Sequence, residues 1–288
     1  MSEKIELRKR RDFGEIISVT FSFFRQNFSR LSLVMLYIGL PLAVLSSITT
    51  TLLQNSLTDA QLSGDLSDIF TSFFSPYYQL SLVLTGLLYV GISGAVYSYI
   101  LRYLSQVDFL NIQVQDVLKD TLSSAGMLLL TSFLLGLFFL LVAIPSAFLL
   151  FIPLLYLSIV LSPLLFIRYY EKKNFFEAFQ RCFKLVPSEW WKVFGAVFVI
   201  GLIGYFIAII FSFPSMIFAF VISFNSTSTE ASSNTIYIIS TILSVFSTFG
   251  SIVLYALTSI CLAFIYFDLV ERKEATGLLN RIDQISAS

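Results

Sequence analysis

Residues 121–167 read TLSSAGMLLLTSFLLGLFFLLVAIPSAFLLFIPLLYLSIVLSPLLFI. These 47 residues contain no Asp, Glu, Lys or Arg. About 20 apolar residues cross the hydrocarbon core of a bilayer, so the stretch is long enough for two crossings. Pro145 and Ser146 are the expected turn, because proline removes a backbone donor and disrupts the preceding helical turn. Pro153 and Pro163 then fall inside the second of the two crossings. They predict bends, with freed carbonyls that need partners other than lipid.

Outward from this stretch the pattern repeats. Charge-free gaps also run over 31–58, 69–101, 193–229 and 231–267. Apolar helices in soluble cores run about 10–14 residues between polar breaks. Over all 288 residues, 57% are hydrophobic and only 12% charged, with 31 Phe. Soluble domains average about 25% charged residues, which is what hydrates their surface. The expected fold is therefore all-α, a polytopic membrane helical bundle. Its six transmembrane helices are placed at about 30–54, 77–103, 123–144, 147–169, 192–213 and 236–267. A cytoplasmic arm, 1–29, precedes them and a charged tail, 268–288, follows. The first apolar run starts behind a basic segment of about 30 residues, so it reads as a retained membrane helix rather than a cleaved signal.

Three segments have amphipathic character and are expected at the cytoplasmic interface. In 7–29, Phe13, Ile16, Ile17, Phe21, Phe24 and Phe28 recur mostly at helical spacing. The segments 104–122 and 171–191 are similar, the last ending near Pro187 with Trp190 and Trp191 as an interface anchor. Pro214 is expected to stop the fifth crossing. The Ser/Thr-rich stretch Asn225–Asn234 is expected to be an exposed loop. Gly86, Gly91, Gly94 and Ala95 in the second crossing would let another helix approach closely.

Orientation follows from the placement of charge. The loops 55–76, 144–147 and 214–235 contain no Lys or Arg, and all 18 basic residues lie in or beside the remaining segments. Both termini are therefore expected in the cytoplasm. Asp59, Asp65, Asp68 and Glu230 are expected outside.

The chain also echoes itself at an offset of 162 residues. The segment FGEIISVTFSFFRQNFSRLSLVMLYIGL from Phe13 lies over FFEAFQRCFKLVPSEWWKVFGAVFVIGL from Phe175. Glu15 pairs with Glu177, Phe21 with Phe183, Gly39 with Gly201, and Arg30 with Lys192. Four crossings separate the two starts, so a parallel repeat is confined to the matched portion.

Motifs for chemistry are sparse. There is no histidine, which removes imidazole-based nucleophile activation and HExxH zinc chemistry. No phosphate-cradling or dinucleotide loop is present. Cys182 and Cys261 have no metal-ligand spacing, and no carboxylate lies deep in any crossing. No catalytic residue, cofactor, metal or nucleic-acid partner is expected. The charges of interest sit at cytoplasmic helix ends: Arg102, Arg168, Glu171, Asp268, Glu271, Arg272 and Lys273. They read either as anchors and ion pairs that fix the bundle, or as a cluster that binds lipid headgroups or a protein partner. Asn225-Ser226-Thr227 matches a glycosylation acceptor, which needs a eukaryotic secretory context that nothing else in the chain suggests.

The stretches IYFDLVERKEATGLLNRID (Ile265–Asp283), RDFGEIISVTFSFFRQNF (Arg11–Phe28) and FFEAFQRCFKLVPSEWWKVFG (Phe175–Gly195) carry a resemblance. The chain resembles a group of uncharacterised membrane proteins from Bacteroidota. These are similar to the membrane domain attached to some bacterial glycerophosphoryl diester phosphodiesterases. The resemblance implies a fold and a cytoplasmic-membrane location, not an activity, because the fused relatives carry their catalytic residues in a separate barrel. The expected function is a non-enzymatic scaffold, accessory or lipid-organising module. A permease or lipid-handling transporter is the alternative, marked by a continuous cavity between crossings. A membrane-embedded enzyme stands third, with Arg168, Asp268 and Glu271 converging at one face.

Overall fold

A computed structural model describes residues 4–63, 71, 74–105, 112–225 and 233–275. Among these the chain is helical, with no strand. The helices are α1 (Phe13–Ser63), α2 (Pro76–Ser105), α3 (Val114–Phe148), α4 (Ile152–Leu161), α5 (Leu164–Glu171), α6 (Phe175–Leu185), α7 (Trp190–Asn225) and α8 (Ser233–Glu274). A single 3-10 turn, Pro187–Glu189, joins α6 to α7.

Among the described residues, six stretches are long and apolar enough to cross a membrane: Phe13–Gln54, Pro76–Ser105, Val114–Phe148, Ile152–Glu171, Phe175–Ile222 and Thr235–Glu274. The protein is thus an all-α, multi-pass membrane protein. Phe133, Ile144 and Phe148 on α3, and Ile210 and Phe220 on α7, keep large apolar side chains exposed, as lipid-facing positions require.

Two of the expected breaks lie elsewhere. Pro145 and Ser146 are inside α3, and the hairpin turn falls at Leu149–Phe151, where Leu150 and Phe151 take positive φ. The carbonyl of Ser146 closes the helix by accepting from the N–H groups of Leu149 and Phe151, at 3.1 and 2.8 Å. Pro153 opens α4 in its first turn, where its missing donor costs nothing. Pro214 likewise lies within α7 and does not end it. A proline interrupts one hydrogen bond, and an apolar surrounding offers the backbone no better partner than the helix itself. Pro163 does act as expected: α4 ends at Leu161 and α5 starts at Leu164.

The first amphipathic segment is continuous with the first crossing in α1; of the second, Leu104 and Ser105 end α2 and residues 112–122 lead directly into α3. Several expectations lie outside the described residues. These are the outer acids Asp65, Asp68 and Glu230, the side chain of Asp59, most of the loop after Asn225 with its acceptor tripeptide, residues 106–111, and the tail beyond Ala275.

The sequence echo has a structural counterpart. α1 covers Phe13–Ser63, and α6 with α7 covers Phe175–Asn225, the same bounds displaced by 162 residues. Both starts are capped alike. The N–H of Asp12 donates to Oε2 of Glu15 at 3.0 Å, and the N–H of Asn174 donates to Oε2 of Glu177 at 3.3 Å. In each case a glutamate reaches back to satisfy a donor at the helix start. Paired positions are buried together: Ile16 with Ala178, Thr20 with Cys182, Phe23 with Leu185, Leu31 with Val193 and Val34 with Ala196. The copies differ where Pro187 replaces the counterpart of Arg25 and breaks the second copy into two helices.

The chain divides into two compact units. One comprises Met1–Val34, Ser93–Leu202 and Ala256–Ser288; the other comprises Met35–Ile92 and Ile203–Tyr255. The second unit is held by close helix approach and hydroxyl pairs. A Cβ on Gly91 would lie 2.8 Å from Ile38, and one on Gly250 would lie 2.8 Å from the Cα of Ala208. Ser215 and Ser247 hydroxyls are 3.0 Å apart, and those of Ser47 and Thr248 are 3.4 Å apart. Small residues and hydroxyls of this kind hold helices together where burial alone supplies little drive. In the first unit, Gly94 packs against Leu128 and Thr121; in the second, an added Cβ on Gly86 would have nothing within 4 Å.

Candidate functional site: the charged helix ends

The ionic clusters described below all belong to the first unit, and Asp268 is the centre of one. It lies near the end of α8 and its side chain is 0% exposed. Three donors converge on its carboxylate. The backbone N–H of Arg11 donates to Oδ1 at 2.8 Å, Nε of Arg272 reaches both oxygens at 3.0 and 3.2 Å, and Nζ of Lys192 donates to Oδ2. Lys192 comes from the first turn of α7, and Arg272 is one helical turn beyond Asp268. A buried carboxylate is tolerated because each of its oxygens is met by a donor and two of the donors are cationic.

The same contacts fasten the N-terminal arm. Nη2 of Arg272 donates to the Arg11 carbonyl at 2.9 Å, and Nε of Arg10 donates to the Glu271 carbonyl at 3.2 Å. Arg11 turns its guanidinium back onto its own arm, donating to the carbonyls of Leu7, at 2.9 Å, and of Glu6. It also lies over the Phe264 ring at 5.2 Å. Burial lowers the pKa of Arg11, with Glu6, Asp268 and Glu15 opposing the shift.

A second cluster joins α5, α6 and the end of α8. Glu171 accepts from Tyr266 at 2.6 Å and from Nε of Arg181 at 3.0 Å, and Nζ of Lys173 is 2.5 Å away. Arg181 then forks onto Glu274 at 2.5 and 2.8 Å, the bidentate geometry that distinguishes arginine from lysine. Lys273 donates to the Lys184 carbonyl. A third cluster joins α2 to α3, with Arg102 held by Asp120 at 2.6 Å and Asp116 at 3.1 Å.

Arg168 stands apart from all three. Its Nη1 donates to the Thr131 hydroxyl at 2.5 Å, and its buried Nε has no partner among the described residues. Arg168 and Asp268, named together for a membrane-embedded enzyme, have different hydrogen-bond partners: Arg168 has Thr131, and Asp268 has Arg11, Lys192 and Arg272. Thus Asp268, Arg272 and the backbone of Glu271 belong together, Glu171 sits in a second cluster, and Arg102 is in a third. Sequence reading missed Arg11, Lys192, Arg181, Glu274, Asp116 and Asp120. The one signal present was the match of Lys192 to Arg30 across the internal echo.

Among the described residues, at least three cavities open at these helix ends. One of about 360 Å³ is walled by Arg8, Tyr170, Glu171, Arg181, Tyr266 and Glu274 with Phe267 and Val270. A second, about 620 Å³, is walled by Arg8, Leu101, Arg102, Leu104, Ser105, Asp120 and Tyr170. The third, about 640 Å³, lies along the arm and the first turns of α1, with Lys4, Lys9, Arg11 and Glu15 in its wall. Neither Asp268 nor Arg168 lines any of them. Among the described residues no group of His, Cys, Asp or Glu is placed to hold a metal ion. Cys182 and Cys261 are both free and buried.

Comparison with protein-family models, curated proteins and solved structures finds no match to this chain.

Proposed function

We propose that this protein is a non-enzymatic membrane module, a scaffold or accessory subunit that organises lipid or a partner at its charged face. The observation that carries this reading is the state of Asp268. It is buried and held by three donors, so it has no access to a substrate. Arg102, Glu171 and Arg272 are likewise engaged in ion pairs that link helix ends or helix to arm. The three cavities described all lie at those ends, which is where a module that recruits lipid or protein would place its grooves.

The distribution of basic residues supports a cytoplasmic location for both termini and for this face. The resemblance to the membrane domains noted above agrees with residence in a bacterial cytoplasmic membrane.

Purification in mild detergent, with identification of co-purifying protein and lipid, tests the proposal. A lipid class or a stoichiometric partner retained through the final column is the expected result. Reconstituted vesicles that show substrate turnover or solute flux dependent on this protein would overturn it.

A further inference from the structure

The two cavities of about 360 and 620 Å³ have two wall residues in common, Arg8 and Tyr170. These side chains touch: Nη2 of Arg8 donates to the Tyr170 hydroxyl at 2.6 Å. The pair is a bridge with a cavity on either side of it.

The two arginines that wall these cavities with Arg8 are already neutralised. Arg181 is held by Glu171 and Glu274, and Arg102 by Asp116 and Asp120. Arg8 has no carboxylate partner among the described residues, and its side chain meets only the neutral phenol. A guanidinium carries five N–H donors, of which this contact uses one. The Tyr170 oxygen accepts from Arg8, which leaves its own O–H free to donate. Donors of both kinds therefore sit side by side in the walls of the two cavities, with no carboxylate among the described residues bonded to either.

That arrangement suits an anion with several oxygens on one centre, which takes a guanidinium fork and a hydroxyl together. The cavity walls add apolar surface from Leu101 and Leu104 on one side, and from Phe267 and Val270 on the other. Such walls suit a phosphate ester that carries an apolar substituent better than a bare ion.

We infer that the groove bridged by Arg8 and Tyr170 binds a phosphate ester, with the Arg8 guanidinium and the Tyr170 hydroxyl as its donors. This deepens the lipid-organising reading and rests on it, with the phosphate of a membrane phospholipid as the natural source at a helix end. Arg8 takes no part in the Asp268 network, so removing its charge leaves the fastening of the arm in place.

Native mass spectrometry of the full chain in an uncharged detergent tests the inference, with short-chain phosphatidylglycerol as the probe and diacylglycerol as the phosphate-free control. Wild type and Arg8→Lys are expected to hold phosphatidylglycerol, and Arg8→Gln to bind it about tenfold more weakly, the scale of one charge-assisted hydrogen bond. Tyr170→Phe removes only the hydroxyl and should weaken binding by a smaller factor, which keeps the test decisive if Arg8→Gln folds poorly. Competition by soluble glycerol phosphate assigns the site to free phosphate esters as well; retention of lipid against it assigns the site to phospholipid alone. Equal binding by wild type and both charge- and hydroxyl-removing variants overturns the inference, as does equal binding of diacylglycerol. Lipid that co-purifies undiminished with Arg8→Gln would reject this site while leaving the proposed function standing.

Discussion

The backbone N–H of Arg11 donates to the buried carboxylate of Asp268 at 2.8 Å, across 257 residues of sequence. A main-chain donor from the arm and two side-chain cations, from α7 and α8, thus depend on one acid. The start of the chain and the end of the last described helix are closed onto each other there.

Asp268→Asn is expected to open this closure. It leaves Lys192 and Arg272 without their shared counter-charge, and breaking a buried pair from one side costs about 3–5 kcal/mol. The arm carries Lys9 and Arg10 in exposed positions. Limited trypsin digestion should cleave there much faster in the variant than in wild type. Unchanged cleavage, together with an unchanged unfolding midpoint, would show that the contact does not hold the arm.

Arg168 gives a prediction of opposite sign. Its guanidinium has a hydroxyl partner but no acid among the described residues, and one of its nitrogens is buried without a bond. Arg168→Met keeps the apolar stem and removes the desolvated charge. Replacing poorly compensated buried charge by apolar volume is commonly neutral or stabilising. The expected result is an unfolding midpoint in detergent equal to or above that of wild type. A fall of about 2 kcal/mol or more would mean that Arg168 has a partner of its own, such as a bound anion.

Gly250→Ala tests the helix approach in the second unit. The new Cβ would meet backbone, the Cα of Ala208, at 2.8 Å, and the Phe211 Cβ at 3.1 Å. Backbone cannot rotate away as a side-chain tip does, so the helices must separate. Overpacking of this type costs about 1–3 kcal/mol. Gly86→Ala, where nothing lies within 4 Å, is the control and should be silent or slightly stabilising.

Orientation is open to direct labelling. Both native cysteines are buried, so a background of slow reaction is expected from them. Lys9→Cys and Thr71→Cys each place a thiol at an exposed position. In intact cells a membrane-impermeant maleimide should modify the second and spare the first until the membrane is opened. The reverse pattern would invert the topology.

Much of the fold was legible because the bilayer demands it. A helix that crosses hydrocarbon must be long and uncharged, and that demand shows as gaps in the charge pattern whatever the helix packs against. The capped starts at Phe13 and Phe175 were not read from the sequence, where Glu15 and Glu177 stood only as a matched pair, although a glutamate three residues beyond the cap acts on its own backbone. Breaks were less legible than spans. Pro145 and Pro214 resemble Pro153 and Pro163 in sequence, yet two lie within helices and two lie at helix junctions. A proline weakens a helix locally, and the packing around it decides whether the helix continues.

Sequence alone therefore determined the class of this protein, its apolar spans and the helix ends at which its charges gather. It did not pair those charges. Asp268 meets Arg11 and Lys192 across 257 and 76 residues, while Arg168, equally placed at a helix end, turns to Thr131. Membrane insertion responds to the summed apolarity of each segment, a property of neighbours in sequence. Ion pairing depends on a few ångströms of separation between distant segments, and only the tertiary structure sets that distance.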